Sequence, residues 1–77
     1  MDSNKFVVAV ERSNGGPYEA VETSEWTGRE APVFTAAIPI VAAEDFRQMV
    51  LAAPEASGIH EAKVDEWTYR FLYEVAE

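Results

Sequence analysis

The sequence contains no cysteine, and this absence removes a disulfide framework, a thiolate metal site and a cysteine nucleophile together. The redox compartment is therefore left open by composition. A single histidine, His60, restricts imidazole chemistry to one position. Cations are scarce: six Lys and Arg stand against fourteen Asp and Glu, a formal net charge of −8. Such a field repels DNA, RNA and anionic lipid, so neither direct nucleic-acid binding nor membrane binding is expected. Long apolar runs are missing too. The longest stretch without a charge, Ala31 to Ala43, contains Pro32, Thr35 and Pro39 and is too short to span a bilayer. Met1-Asp2-Ser3-Asn4-Lys5 lacks the basic region and apolar run of a secretory signal, so a cytoplasmic protein is expected.

What is present suits one small folded domain spanning residues 1–77. Hydrophobic residues make up 48% of the chain, with two Trp, three Tyr and four Phe to fill a core. A core of this size supplies no more than roughly 3–5 kcal/mol of net stability without a staple. Lys5 to Arg12 is rich in β-branched residues and predicts a largely buried strand. Ser13-Asn14-Gly15-Gly16-Pro17 predicts a reversal, and Tyr18 to Trp26 a returning strand with Tyr18, Ala20 and Glu22 on one face and Val21 on the other. Its poor alternation points to an edge. Pro32 to Ile40 reads as a third strand, with Phe34, Ala36, Ile38 and Ile40 on one face and Pro39 pushing it to an edge or marking its end. Phe46, Met49, Val50 and Ala53 make the apolar stripe of a helix over Ala42 to Ala53, with Glu44 and Asp45 in its first turn and Pro54 as its stop. The C-terminal aromatics fit either a strand or a helical face. Strict alternation and β-forming residues favour a hairpin: Ile59 to Val64, a turn at Asp65-Glu66, then Trp67 to Val75. The expected fold is α+β, a small antiparallel sheet in the order β-β-β-α-β-β with one helix packed on one face.

No catalytic, cofactor or metal site emerges. His60 beside Glu61 is the one pair suited to general-base work, and an ordinary strand residue is the simpler reading. No serine occupies a nucleophile motif. The acidic pairs Glu44-Asp45 and Asp65-Glu66 lack the alternating ligands, central glycine and terminal Glu of a calcium loop. Asn14-Gly15-Gly16 lacks the length and following helix of a phosphate loop. The row Trp67, Tyr69, Phe71 and Tyr73 is flanked by Glu66 and Glu74 with Arg70 as its one cation, so it reads as core rather than as a base-stacking platform.

The acids themselves carry the functional expectation. Glu19, Glu22 and Glu25 follow one another without a cation, beside Trp26, and six acids from Glu55 onward meet only Lys63 and Arg70. Carboxylates at i and i+2 of a strand lie about 6.5 Å apart, a spacing comparable to that of backbone phosphates, which permits mimicry. A solvated sheet face is the plain alternative. The expected function is a small acidic inhibitor that binds a protein with a basic surface, foremost a nucleic-acid-binding complex. Glu19, Glu22, Glu25, Asp65 and Glu66 are its contact candidates and Trp26 its aromatic anchor. In size, charge and lack of a catalytic constellation the chain resembles, in type only, phage-encoded inhibitors of host defence such as anti-CRISPR proteins and DNA mimics. No motif carries that resemblance to a residue. The alternative is a self-associating module, a homodimer formed by strand pairing through Tyr18 to Trp26 or through the C-terminal strand.

Overall fold

The computed structural model describes residues 5–27, 32–52 and 57–75. Strand β1 (Lys5–Ser13) turns back into β2 (Glu19–Thr27), and after helix α1 (Ile40–Ala52) the strands β3 (Gly58–Val64) and β4 (Trp67–Val75) form a second hairpin. The sheet order is β2-β1-β4-β3, and every pairing is antiparallel. The first and last strands thus meet at the centre, from Phe6↔Val75 to Ser13↔Thr68. This central pairing joins the two local hairpins into one sheet.

Local chemistry accounts for both turns. Gly15 takes φ +88°, which side chains resist, and the Ser13 hydroxyl closes the first turn by donating to the Gly16 carbonyl at 2.6 Å. The second hairpin has the expected two-residue loop, with Val64 opposite Trp67. Asp65 there adopts φ +59°, a left-handed conformation that its short polar side chain tolerates better than most. Replacing it by glycine relieves that backbone. We expect Asp65→Gly to stabilise the fold by about 0.5–1 kcal/mol, seen as a rise of a few degrees in melting temperature; a fall would contradict the turn geometry.

Residues 32–40 depart from the expected third strand. Residues 32–35 are irregular and a turn follows, closed by Ile38 N–H donating to the Thr35 carbonyl at 3.2 Å. The Thr35 hydroxyl also accepts from Ala37 N–H at 3.2 Å. Pro39 explains the change: it cannot donate to a ladder, yet its carbonyl accepts the first helical bond, from Ala43 N–H at 2.9 Å. The helix consequently begins at Ile40 rather than Ala42, which moves Glu44 and Asp45 out of its first turn. Ala53 and Pro54 lie outside the described residues. The four residues expected to share one face divide: Ile38 is buried and Phe34 packs edge-on against Phe46 and Phe71, whereas Ala36 and Ile40 are exposed.

The core lies on one side of the sheet. Alternation places Phe6, Val8, Val10, Trp26, Ala62, Tyr69, Phe71 and Tyr73 beneath Ile38 and the helix residues Ala42, Phe46 and Val50. Phe46 stacks on Phe71 with centroids 4.7 Å apart, and Trp26 stacks on Phe6 at 5.1 Å. Residues 32–39 are tied to β2 on this same side. Glu22 accepts hydrogen bonds from the Thr35 amide and hydroxyl, and the Ser24 hydroxyl donates to the Val33 carbonyl.

Candidate functional site

Most of the residues singled out from the sequence are engaged within the fold. Trp26 is 7% exposed and enclosed by Phe6, Phe46 and Tyr73, so it is core and offers no ring to a partner. Glu19, Glu22 and Glu25 do not form one carboxylate row. Glu25 lies opposite Val7 on the open face, whereas Glu22 lies opposite Val10 on the core side. A bulge then shifts the register, so that Glu11 faces Ala20 and Val21 is the extra residue. Ala20 and Glu22 therefore fall on opposite faces, contrary to the alternation expected from the sequence. Each of the three acids also has an internal partner: Glu19 meets Arg12 at 2.8 Å, Glu22 holds Thr35, and Glu25 meets Lys5 at 3.1 Å. Asp65 and Glu66, by contrast, are exposed at the β3–β4 turn, with no ion pair among the described residues.

His60 and Glu61 separate for a simple geometric reason. Consecutive strand residues point to opposite faces. His60 lies on the core side, its Nε2 2.9 Å from Asp45 Oδ2 and its ring against Phe46 and Phe71, which fastens β3 to α1. Glu61 lies on the other face, 3.3 Å from Arg70. The imidazole thus pairs with Asp45 across to α1 rather than with Glu61. Among the described residues no group of three or more His, Asp or Glu could hold a metal ion, and no helix is long and apolar enough to cross a membrane.

Uncommitted surface remains on both sides of the sheet: Val33, Ile40, Val41 and Leu51 are exposed on the helix side, and the face opposite the helix carries the other stretch. Cross-strand register arranges this opposite face in rows that run across the strands. One row contains Thr23, Ala9, Leu72 and Ile59; the row on one side of it contains Glu25, Val7 and Glu74, and the row on the other contains Ala20, Glu11, Arg70 and Glu61. Val7, Ala9, Thr23, Ile59, Leu72 and Glu74 line a shallow groove of about 440 Å³. Ile59 is 63% exposed. Four carboxylates border this apolar strip: Arg70, the one cation of the bordering rows, pairs with Glu11 and Glu61, Lys5 pairs with Glu25, and Glu74 has no ion pair among the described residues.

Arg70 is held at the centre of its row. It meets Glu11 at 3.2 Å and Glu61 at 3.3 Å, and its guanidinium lies 3.9 Å from the centroid of the Tyr18 ring. Desolvation opposes its charge, but Tyr18, Glu61 and Glu11 together outweigh this and raise its pKa above the ordinary arginine value. Arg12 is raised as well, first by its hydrogen bond to Glu19 and then by Tyr69. Both remain cations throughout the range where proteins fold. Their charges are matched within the sheet, which leaves the bordering face net acidic.

The sequence signal for this groove is the uninterrupted apolar run Phe6 to Val10, within the stretch Lys5 to Arg12 that predicts a largely buried strand. In the structure α1 and residues 32–39 cover one side only, so Val7 and Ala9 become surface. Comparison of the chain with protein-family models, curated proteins and solved structures found no match.

Proposed function

We propose that this chain is not an enzyme and works by binding a protein that carries a basic surface, using the open face of its sheet. The observation that carries this reading is the apolar strip bordered by Glu25, Glu74, Glu11 and Glu61, on a chain of net charge −8. An apolar centre supplies affinity, and the surrounding like charge steers and selects an oppositely charged partner. Nucleic-acid-binding proteins are the commonest owners of a basic surface, so occlusion of such a surface, an inhibitor's mode of action, is the role we assign. Mimicry by a regular ladder of carboxylates receives no support from β2, whose three glutamates divide between two faces.

The test compares the tagged chain with a Glu25→Lys, Glu74→Lys double variant in capture from host lysate, washed at low and at high salt. The expected result is a basic protein retained by the parent chain at low salt, released at high salt, and lost in the variant. Equal retention by both proteins, or recovery of the chain alone, contradicts the reading.

Self-association is less well supported. β4 lies inside the sheet between β1 and β3, so the C-terminal strand has no free edge to pair across a two-fold axis. β2 is an edge, but Glu19, Glu22, Glu25 and the bulge at Val21 are the devices by which edge strands resist pairing. A mass that rises with concentration in sedimentation equilibrium would restore the dimer.

A further inference from the structure

We infer that the occupant of the groove is a basic amphipathic helix laid across the strands; this inference rests on the reading above and names its partner chemistry. The argument begins with direction. Thr23, Ala9, Leu72 and Ile59 come from four different strands, so the apolar row runs perpendicular to them. With strands about 4.8 Å apart the row is roughly 14 Å long, the rise of about ten helical residues. A strand added to this sheet would instead use an edge, parallel to β2 or β3.

Width leads to the same shape. The flanking rows lie about 6.5–7 Å to either side, and a helix with side chains is about 10–12 Å across. A helix seated on Ala9 and Leu72 with an apolar stripe at i, i+3/i+4 and i+7 would therefore bring its flanking residues over Glu25 and Glu74 on one side and Glu11 and Glu61 on the other. The four carboxylates share two cations, Lys5 and Arg70, so Lys or Arg at those flanks meets a net negative border in which Glu74 has no ion pair among the described residues, whereas acidic flanks meet like charge. The small side chains of Ala9 and Thr23 provide the depression, and Leu72 and Ile59 the raised apolar wall.

The chain's own helix does not fit this groove in a second copy. The exposed face of α1 carries Ile40, Val41 and Leu51 together with Glu44, Asp45 and Gln48, and its two acids would set carboxylates against carboxylates. Nucleic acid and anionic lipid meet the same repulsion. A cationic helix is the occupant that matches the row's direction, its width and the sign of its border.

The experiment uses dye-labelled synthetic peptides and fluorescence anisotropy with the full chain. One peptide has a leucine stripe at helical spacing with Lys and Arg flanks. A second has the same charges with Ser replacing Leu, and a third has the leucine stripe with Glu flanks. We expect saturable binding of the first peptide only. Ile59→Ser, at an exposed position that the fold does not need, should weaken that binding at least about tenfold, and the Glu25→Lys, Glu74→Lys variant should do the same at low salt. Circular dichroism confirms that each variant is folded. Equal binding of the serine peptide would overturn the groove, because charge alone would then suffice. Absence of binding by the leucine-stripe basic peptide would overturn it as well, and salt-sensitive capture of a basic protein from lysate would then leave the broader reading standing.

Discussion

Phe46→Ala is expected to unfold most of the protein at room temperature. Its ring is fully buried, stacked on Phe71 at 4.7 Å and touched edge-on by Trp26 and Tyr73. Removing a buried Phe costs about 3–5 kcal/mol, the transfer of the ring plus the cavity it leaves. A core in a chain this short supplies at most roughly that amount in total. Urea titration followed by circular dichroism and tryptophan fluorescence provides the measurement. A baseline already unfolded in buffer, or a midpoint close to zero denaturant, is the predicted result; a cooperative transition within about 1 kcal/mol of the parent would show that Phe46 is not the centre of the core. Phe46→Leu, which keeps most of the volume, should recover part of the loss.

Gly58→Ala tests the core from the opposite direction, by adding atoms. A Cβ built on Gly58 would stand 2.7 Å from Tyr73 Oη, closer than real contacts allow, and 3.0 Å from Cζ, a tight contact. Tyr73 cannot swing away cheaply. Its ring is 7% exposed and lies against Trp26 and Phe46, and its hydroxyl donates to Met49 Sδ at 3.8 Å. Forcing the two groups apart should cost about 1–3 kcal/mol, seen as a lower denaturation midpoint with an unchanged slope. Adding Tyr73→Phe removes the nearest atom, so the double variant should lose less than the sum of the two singles, with a coupling of about 1 kcal/mol. Strict additivity would mean that the hydroxyl and the new methyl never meet.

Local signals and tertiary ones differed in how well the sequence disclosed them. The C-terminal hairpin was legible because alternation over Trp67 to Val75 and a two-residue gap at Asp65-Glu66 are local facts, and strands follow from local facts when one face is buried. The apolar pattern of residues 32–40 was legible as burial but not as conformation: Phe34 and Ile38 alternate like a strand, yet Pro39 starts a helix and Thr35 closes a turn onto Glu22. Glu22 looked like free acid because its partner lies thirteen residues away, in a turn that periodicity does not predict. The bulge at Val21 was equally hidden, and it reassigns every face of β2 beyond it.

The site followed the same division. Asp65 and Glu66 were found at an exposed turn, as turn residues should be, but their place beside or away from a binding face depends on sheet order. The apolar row could not be read in advance, because Ala9, Leu72, Thr23 and Ile59 become neighbours only when four strands pair in the order β2-β1-β4-β3. Trp26 shows the reverse case. An aromatic among acids suggested an anchor, and cross-strand stacking on Phe6 made it core instead.

We propose the open sheet face, not the helix side, as the functional surface. Its most direct test is an amide chemical-shift map of the labelled chain titrated with the leucine-stripe basic peptide. Shifts are expected to concentrate at Val7, Ala9, Thr23, Ile59 and Leu72, with the exposed helix positions Val41 and Leu51 unmoved. Shifts centred on α1, or spread evenly over every acidic residue, would contradict the proposal.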